Sequence, residues 1–492
     1  MDYKDCNNGV SRLSIIYLLF PILLFFIGWL RLYWAIIFVV VLGITLYLIF
    51  REYSGWTAFN LTSSFAWKVW LPIVGILVIW LFLSGIGHLS YQLPDYKKHN
   101  LIFAHLSNQN WPIIQHITKS KAIILIYYIA YYLPGGLAGK LLGERFASIF
   151  EFAYALFGLS LIFYNIRQLS RKLPPILSVL SFILFSGLDV FGSLILNGRL
   201  LPLSSLESWN PLFIYQGITE TLYWVPQQAI PAWLITSMFL RDWENNTGNT
   251  YRLFIWAICI LWSPWVFIGL SPIVIFLTAR DFLAKRKVFT LTNIIPTVMI
   301  IGVVLYYYLI NANSVHGSGW VWNFDKNWFK YYFIFIVIEF LPLSTFLLWK
   351  NRANKSLPML SIVIITLLLL PLYRAGVFND FAMKVSTPLI ALLAIFTIKT
   401  LSDLWGREKT ITSKLQIGVI LVYLCVGSVN GIYRVVDSAN KTFLAYRSHE
   451  HNVSVYEPNL FKSFNNIPSD VILEQYLARN VDFRKYQWLF KY

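Results

Sequence analysis

Apolar runs about 20 residues long recur along the whole chain, and this feature restricts the fold more than any other. Of the 492 residues, 57% are hydrophobic and 13% are charged, whereas a soluble domain carries about 25% charged residues. An apolar run of this length crosses a bilayer as a helix, because a helix satisfies all its backbone hydrogen bonds internally. The chain is therefore predicted to be an all-α, polytopic integral membrane protein with about 13 transmembrane helices.

The predicted spans divide the chain into four parts. The spans are 13–31, 32–51, 66–87, 147–166, 173–192, 226–241, 251–264, 267–280, 289–310, 328–349, 356–371, 382–401 and 412–430. The parts are an N-terminal hairpin of two helices (1–65), a larger transmembrane module (66–280) with loops 88–146 and 193–225, further transmembrane helices (281–430) and a polar tail (431–492). Pro264 and Pro272 indicate either a broken hairpin or one kinked helix over 251–280.

The basic residues predict the orientation of these spans. Segment 121–141 is interrupted by Pro134 and two glycines and carries four tyrosines, so it is interpreted as an amphipathic or re-entrant element on the outer leaflet. If segment 121–141 does not cross the membrane, an even number of spans separates each basic cluster from the next, so all the clusters lie on one side. That side is predicted to be the cytoplasm, because cytoplasmic loops are rich in Lys and Arg. The N-terminus is then also cytoplasmic, and the tail lies outside. The clusters are Arg167–Lys172, Arg280–Lys287, Lys350–Lys355 and Lys399–Lys414.

The charge and the cysteines exclude several classes of function. The net charge of +17 follows the cytoplasmic loops, so it is interpreted as a topology signal and not as a nucleic-acid surface. Cys6, Cys259 and Cys425 are scattered, which supports neither a disulfide framework nor a zinc site. The lack of disulfides favours a bacterial plasma membrane.

The polar segment Pro94–Pro112 follows a predicted span and contains the first candidate site. Asp95 and His99 are four residues apart, so they share one face of a helix. Together they would bind a cation or a phosphate, or orient an acceptor hydroxyl. The alternative is an interfacial helix with a cap and an incidental histidine.

Other charged groups on the predicted outer side are few. Asp189 ends a span and Glu207 lies in the loop after it. An acid near the bilayer is costly unless it is paired, hydrated or bound to a metal, although a helix cap or a solvated loop also explains it. Arg374 and Lys384 flank a short loop and would hold a phosphate, or simply extend to the membrane interface. The other outer acids are Glu220, Asp325 and Asp380.

Two further histidines, His449 and His451, flank a glutamate in the tail and look like metal ligands. Positions two residues apart do not share a helical face, so a metal site there would need a strand.

The first outer loop resembles that of GT-C fold glycosyltransferases, the group that contains protein mannosyltransferases and aminoarabinose transferases. The resemblance covers roughly residues 66–195. An acid opens a short helix at Asp95 and the loop ends in Trp111-Pro112, although Tyr96 stands where the family often has a second acid. The segments Ile126–Tyr132, Lys140–Gly143, Arg145–Ser148 and Ala155–Gly158 resemble the juxtamembrane helix and next span of that family.

The resemblance implies that 66–280 is a catalytic module and that the protein is a glycosyltransferase. The enzyme would move a sugar from a polyprenyl-phosphate or polyprenyl-diphosphate donor to a glycan, lipid or protein acceptor on the outer face of the membrane. The resemblance implies that Asp95 or His99 is the general base and that Asp189 and Glu207 are further catalytic acids. Arg374 and Lys384 would bind the phosphate, and Trp111 and Trp209 would stack on sugar rings. Asp95 and Asp189 would bind a divalent ion such as Mg or Mn.

Two other classes of function remain open from the sequence. A polysaccharide polymerase or ligase would act on the same lipid-linked substrates but would depend on outer arginines, here Arg199 and Arg374. A transporter or a non-catalytic scaffold is the third alternative; transport would need polar residues deep inside the spans, where the sequence shows few.

Overall fold

The computed structural model describes residues 3–52, 67–245, 251–311, 317–376, 379–407, 410–448, 457–465 and 474–491. The described chain is mostly helical. The helices are α1 (Tyr3–Trp29), α2 (Leu32–Glu52), α3 (Trp67–Leu83), α4 (Tyr96–Asn108), α5 (Leu133–Leu142), α6 (Glu144–Leu169), α7 (Pro175–Ile183), α8 (Asp189–Asn197), α9 (Ile218–Trp224), α10 (Pro226–Glu244), α11 (Arg252–Trp262), α12 (Pro264–Leu283), α13 (Leu291–Leu309), α14 (Trp328–Glu339), α15 (Leu341–Lys350), α16 (Leu357–Leu369), α17 (Asp380–Val385), α18 (Thr387–Trp405), α19 (Ile411–Ser448) and α20 (Leu460–Asn465).

Seven helices in the described residues are long and apolar enough to cross a membrane, which agrees with a helical membrane protein. They lie within α1, α2, α6, α12, α13, α18 and α19. An eighth crossing results if α14 and α15, which meet at an angle of 48°, form one broken span. The predicted number of about 13 spans is not confirmed, because helices such as α3, α11 and α16 are apolar but shorter than a full crossing.

Within the described residues, five short strands add a small β component to the predicted all-α fold. Strands β1 (Ile114–His116), β2 (Lys121–Leu125) and β5 (Leu477–Asp482) form an antiparallel sheet in the order β1-β2-β5. Strands β3 (Gly319–Trp320) and β4 (Tyr373–Arg374) pair separately.

Segment 121–141 is not one continuous helix. It begins with β2, continues through a short 3₁₀ turn at Ala130–Tyr132 and ends inside α5. Most of its residues are buried within the protein. None of these pieces is long enough to cross a membrane. Pro134 lies in the first turn of α5 and does not interrupt a helix.

Serine and proline together divide the predicted spans at 251–280. Helix α11 ends at Trp262, and the Ser263 side chain accepts a hydrogen bond from the backbone N–H of Val266, 3.3 Å away. Pro264 then occupies the first position of α12, where a missing N–H costs nothing. Pro272 lies inside α12, so the break occurs at the first proline only.

The C-terminal residues return to the first loop. Beyond the β5 pairing, Phe490 forms a β-bridge with Leu30, at the turn between α1 and α2. Helix α19 is continuous through residue 430, where the sequence analysis placed the start of the tail. The segment 474–491 therefore packs onto the helical body of the protein.

Two helices occupy the centre of the protein. Helix α18 is 94% buried over its most apolar window, and nearly all residues of α10 are buried as well. The two pack against each other. The polar groups described below lie around the N-terminal end of α10 and the elements next to it.

A thiol-labelling experiment tests the predicted orientation. In a background without the three native cysteines, Lys97→Cys should react with a membrane-impermeant maleimide added from outside the cell, whereas Lys287→Cys should react only after the membrane is permeabilised. Both lysines are exposed in the structure, so a lack of labelling reports on the membrane side and not on burial. The reverse pattern would contradict the orientation that the basic clusters predict.

Candidate functional site

Asp95 lies immediately before α4 and is held by one neighbouring side chain. Its Oδ1 atom accepts a hydrogen bond from Lys98 Nζ at 2.8 Å. The Asp95 side chain is 37% exposed. Asp95 occupies the N-cap position of α4, but its side chain makes no capping hydrogen bond. The interpretation of Asp95 as a simple helix cap is therefore not supported.

The surroundings of Asp95 favour the charged form of its carboxyl group. Partial burial raises its pKa, but the charges of Lys98, His99 and Lys384 act in the opposite direction. The net effect is a pKa below the usual range for aspartate. Asp95 is thus a carboxylate at neutral pH.

His99 is buried and both of its ring nitrogens have partners. Nδ1 lies 2.5 Å from the hydroxyl of Tyr132, and Nε2 lies 3.2 Å from the backbone oxygen of Trp224. A carbonyl oxygen only accepts hydrogen bonds, so Nε2 carries the proton and Nδ1 accepts from Tyr132. Burial lowers the pKa of His99 to about 4, against the opposing effect of Asp95. In this structure the imidazole is neutral and fixes the Trp224 backbone, so it is not open to a substrate.

Lys384 is on α17 and belongs to the same group as Asp95. Its Nζ atom lies 2.6 Å from Asp380 Oδ1, one helical turn away. Burial alone lowers the pKa of Lys384, but Asp380, Tyr128 and Asp95 raise it by more than burial lowers it. The pKa of Lys384 therefore lies above the usual value for lysine, and the ammonium stays charged. We call Asp95, Lys98, His99, Asp380 and Lys384 the Asp95 group.

A cavity of about 470 Å³ adjoins the Asp95 group. It lies between the start of α12 and the end of α13, and Asp380 and Lys384 form part of its wall. Ile268, Leu305 and Leu309 also line it and are exposed at the protein surface. The cavity is therefore apolar at its lip and charged at one wall, with a volume typical of ligand sites.

Arg374 is not among the residues that line this cavity. It is in β4, paired with Gly319 of β3, and its guanidinium lies 4.9 Å from the centre of the Phe324 ring. Strand β4 packs against α17, so Arg374 and Lys384 lie on neighbouring elements, but of the two only Lys384 lines the cavity.

The two tryptophans proposed for sugar stacking are packed against protein. Trp111 Nε1 donates to the backbone oxygen of Leu106, and the Trp111 ring packs on Trp29. Trp209 is 2% exposed, and its indole donates to Asp189 at 3.1 Å. Both residues position other groups in this structure.

Asp189 is at the first residue of α8 and is buried among donors. Besides Trp209, it accepts hydrogen bonds from Ser186 and from Asn430 of α19. Burial raises the pKa of Asp189 to about 7, although these hydrogen bonds lower it in part. Asp189 is therefore a buried carboxyl group that accepts hydrogen bonds from three side chains.

Glu207 and Glu220 lie close to Asp189 and to a buried arginine. Glu220 Oε1 accepts from Arg434 Nε at 2.8 Å. Glu207 Oε1 accepts from the backbone N–H of Gly217 at 2.6 Å. Burial raises the pKa of both glutamates, and Arg434 lowers both in part. A fourth acid, Glu339 at the end of α14, contacts Asp189.

We call these four acids, together with Arg434 and Asn430, the acid layer. Trp224 connects it to the Asp95 group: its backbone oxygen is held by His99, and its indole donates to Glu220 Oε2 at 2.8 Å. The candidate residues Asp95, His99, Asp189 and Glu207 thus belong to two adjoining polar groups.

Sequence reasoning left three residues of the acid layer out of the site. Glu339 lies within the predicted span 328–349, and Asn430 and Arg434 lie at the boundary drawn after span 412–430. A charged residue inside or directly beside an apolar run was the available signal, because such a charge needs a partner. Glu220 was recognised as an acid, but its partner Arg434 was not.

The described residues contain no group of three or more His, Cys, Asp or Glu side chains arranged to hold a metal ion. The predicted ligands Asp95 and Asp189 lie in separate groups, and no contact joins them. His449 and His451 lie outside the described residues. A divalent ion stays a prediction.

Comparison with known proteins does not name a family for the chain. No protein-family model, curated protein or solved structure matches it.

Proposed function

We propose that this protein is a membrane glycosyltransferase that takes a sugar from a polyprenyl-phosphate or polyprenyl-diphosphate carrier. The observation that supports this most is the cavity between α12 and α13. An apolar chain suits its lip and a phosphate suits Lys384, while the carboxylate of Asp95 lies close enough to Lys384 to affect its pKa. The acceptor would be a glycan, a lipid or a protein.

The proposed reaction uses one base and one cation. The isoprenoid chain lies against Ile268, Leu305 and Leu309, and the phosphate lies at Lys384, where it competes with Asp380 for the ammonium. Asp95 accepts the proton of the acceptor hydroxyl while the hydroxyl oxygen bonds to the anomeric carbon of the sugar. The bond from that carbon to the carrier phosphate breaks, and Lys384 stabilises the charge that develops on the leaving phosphate.

The positions of the donor and acceptor follow from the proposed orientation. With the basic clusters in the cytoplasm, the Asp95 group faces the outside of a bacterial plasma membrane. Sugar transfer would then occur at the outer face, onto components of the cell envelope.

A second candidate function is coupled transport, because the structure places more charge among the helices than the sequence suggested. Glu339 ends an apolar helix, Arg434 lies in α19, and both are buried. Buried acids of this kind occur in proton and cation pathways. A polymerase or ligase based on Arg199 and Arg374 has less support, since neither arginine lines the cavity.

Binding of a bare carrier tests the role of Lys384. Lys384→Gln should weaken binding of a polyprenyl phosphate by about 10- to 100-fold, because it removes one charge-assisted hydrogen bond of about 1.5–3 kcal/mol. The measurement is a titration of purified protein in nanodiscs, followed by native mass spectrometry or by quenching of Trp265, which lines the cavity.

Lys330→Gln is the matched control, because Lys330 is an exposed lysine on α14 that does not line the cavity. The control should bind like the unchanged protein. Equal affinities for all three proteins would show that the carrier phosphate is not held by Lys384.

A further inference from the structure

The cavity between α12 and α13 is lined by uncharged polar side chains as well as by charged ones. Among the described residues that line it, only Asp380 and Lys384 carry a charge. The neutral polar residues are three tyrosines and two amides, Tyr127, Tyr128, Tyr308, Asn311 and Gln475. A ligand that extends from Lys384 through the cavity therefore meets neutral hydrogen-bonding groups and apolar side chains.

The amide of Gln475 is more available to a ligand than two of the tyrosines. The Tyr308 hydroxyl donates to the backbone oxygen of Ile260 at 2.9 Å, and the Tyr128 hydroxyl accepts from Gln228 Nε2 at 3.2 Å. The Gln475 side chain forms no hydrogen bond within the described part of the chain. Its carboxamide is therefore able both to donate to a ligand and to accept from one.

Hydrogen bonds to its two neighbours hold Gln475 at the cavity. Asn311 Nδ2 donates to the backbone oxygen of Glu474 at 2.7 Å. The backbone oxygen of Tyr476 accepts from the N–H of Ile126, another lining residue, at 2.9 Å. Gln475 thus lies between one position tied to the end of α13 and another tied to the residue after β2.

The remainder of the C-terminal segment (474–491) is fixed to the helical body as well. Strand β5 pairs with β2. Beyond it, the backbone oxygen of Trp488 accepts from the Tyr33 hydroxyl at 2.7 Å and from Trp34 Nε1 at 3.0 Å. The N–H of Lys491 donates to the backbone oxygen of Trp29 at 2.8 Å. Gln475 is therefore presented to the cavity by a segment that is anchored along its length.

The neutral residues suit the sugar of a lipid-linked donor. A sugar hydroxyl matches a carboxamide, because each group both donates and accepts hydrogen bonds. Lys384 is the cation for the phosphate, so a carboxylate on the sugar would add a negative charge near Asp380 without a further cation to pair with. An unpaired charge away from water is costly. The cavity therefore favours a neutral sugar over an acidic one.

We propose that Gln475, with Asn311 beside it, forms the subsite for the donor sugar, and that this subsite takes a neutral sugar with free hydroxyl groups. The proposal rests on the proposed function, because it places the carrier phosphate at Lys384. It makes the C-terminal segment a part of the donor site and Gln475 a residue that determines sugar specificity.

Native mass spectrometry of the full chain in nanodiscs tests the subsite with probes of one isoprenoid length. The probes are polyprenyl phosphate, its glucosyl, galactosyl and mannosyl derivatives, and its glucuronosyl derivative. The unchanged protein should bind at least one of the neutral derivatives about 10-fold more tightly than the glucuronosyl one, because only the latter brings an unpaired carboxylate. Gln475→Leu should weaken binding of that neutral derivative by about 2- to 10-fold, the effect of one neutral hydrogen bond, and should leave binding of bare polyprenyl phosphate unchanged.

Gln487→Leu is the matched control, because Gln487 lies in the same segment but does not line the cavity. It should bind every probe like the unchanged protein. If Gln475→Leu weakened neither the bare nor the neutral probe, or both equally, the subsite would be wrong while the carrier site at Lys384 remained. Tightest binding of the glucuronosyl probe by the unchanged protein, which needs no variant to fold, would overturn the preference for a neutral sugar. Binding of no probe at all would instead contradict the proposed function, and the subsite with it.

Discussion

Asp95→Asn is expected to lower the rate of sugar transfer by about 10²- to 10⁴-fold, the usual contribution of a general base. Asparagine has the shape of aspartate but cannot accept the proton of the acceptor hydroxyl. The fold should survive, because the pair of Asp95 with Lys98 is partly exposed and such pairs contribute about 0–1 kcal/mol. The measurement is transfer from lipid-linked sugars in membranes, normalised to the amount of folded protein.

Asp325→Asn is the matched control for this substitution. Asp325 also lies in a loop on the predicted outer side, where it accepts a hydrogen bond from the backbone N–H of Asn327 at 2.7 Å. Its replacement should leave transfer unchanged. If Asp95→Asn retained full transfer, the base would have to be another acid, and Asp189 and Glu207 would be the next candidates.

Arg434→Met is expected to destabilise the protein by about 3–5 kcal/mol, because it leaves buried carboxylates without their cation. Arg434 is paired with Glu220 at 2.8 Å, and both side chains are less than one-tenth exposed. Its charge also acts on Glu207. The measurement is the midpoint of thermal unfolding in detergent, compared with that of the unchanged protein.

A double variant separates the charge effect from a packing defect. Arg434→Met combined with Glu220→Gln should recover much of the lost stability, since the uncharged amide still accepts from Trp224. Lys441→Gln should cost at most about 1 kcal/mol, because its pair with Asp437 is largely exposed on the lysine side. A double variant no more stable than Arg434→Met alone would contradict the electrostatic explanation.

The membrane class of the fold could be predicted because it depends on composition and on the length of apolar runs. The predicted number of spans is not confirmed, since an apolar run in the sequence does not show how much of it is one continuous helix. Helices α3, α11 and α16 illustrate this: they are apolar but shorter than a full crossing. The short strand β2 was also hidden, because its partner β5 lies about 350 residues further along the chain.

The candidate site was predicted in part. The i,i+4 spacing predicted that Asp95 and His99 lie close together. Lys384, which was predicted beside a short outer loop, lies in α17. The role of His99 could not be predicted, because its partners Tyr132 and Trp224 come from distant segments. Pairing of Glu220 with Arg434 spans 214 residues, so no local pattern indicates it.

Transfer by the unchanged protein tests the central claim most directly. Purified protein in nanodiscs would be supplied with the total lipid-linked sugars of its host and a mixture of envelope acceptors, and the release of free carrier phosphate would be followed together with the labelled product. We expect carrier release and product formation in equal amounts, both lost in Asp95→Asn. Tight binding of the lipid-linked sugars without any release, or their movement across the bilayer intact, would contradict a glycosyltransferase.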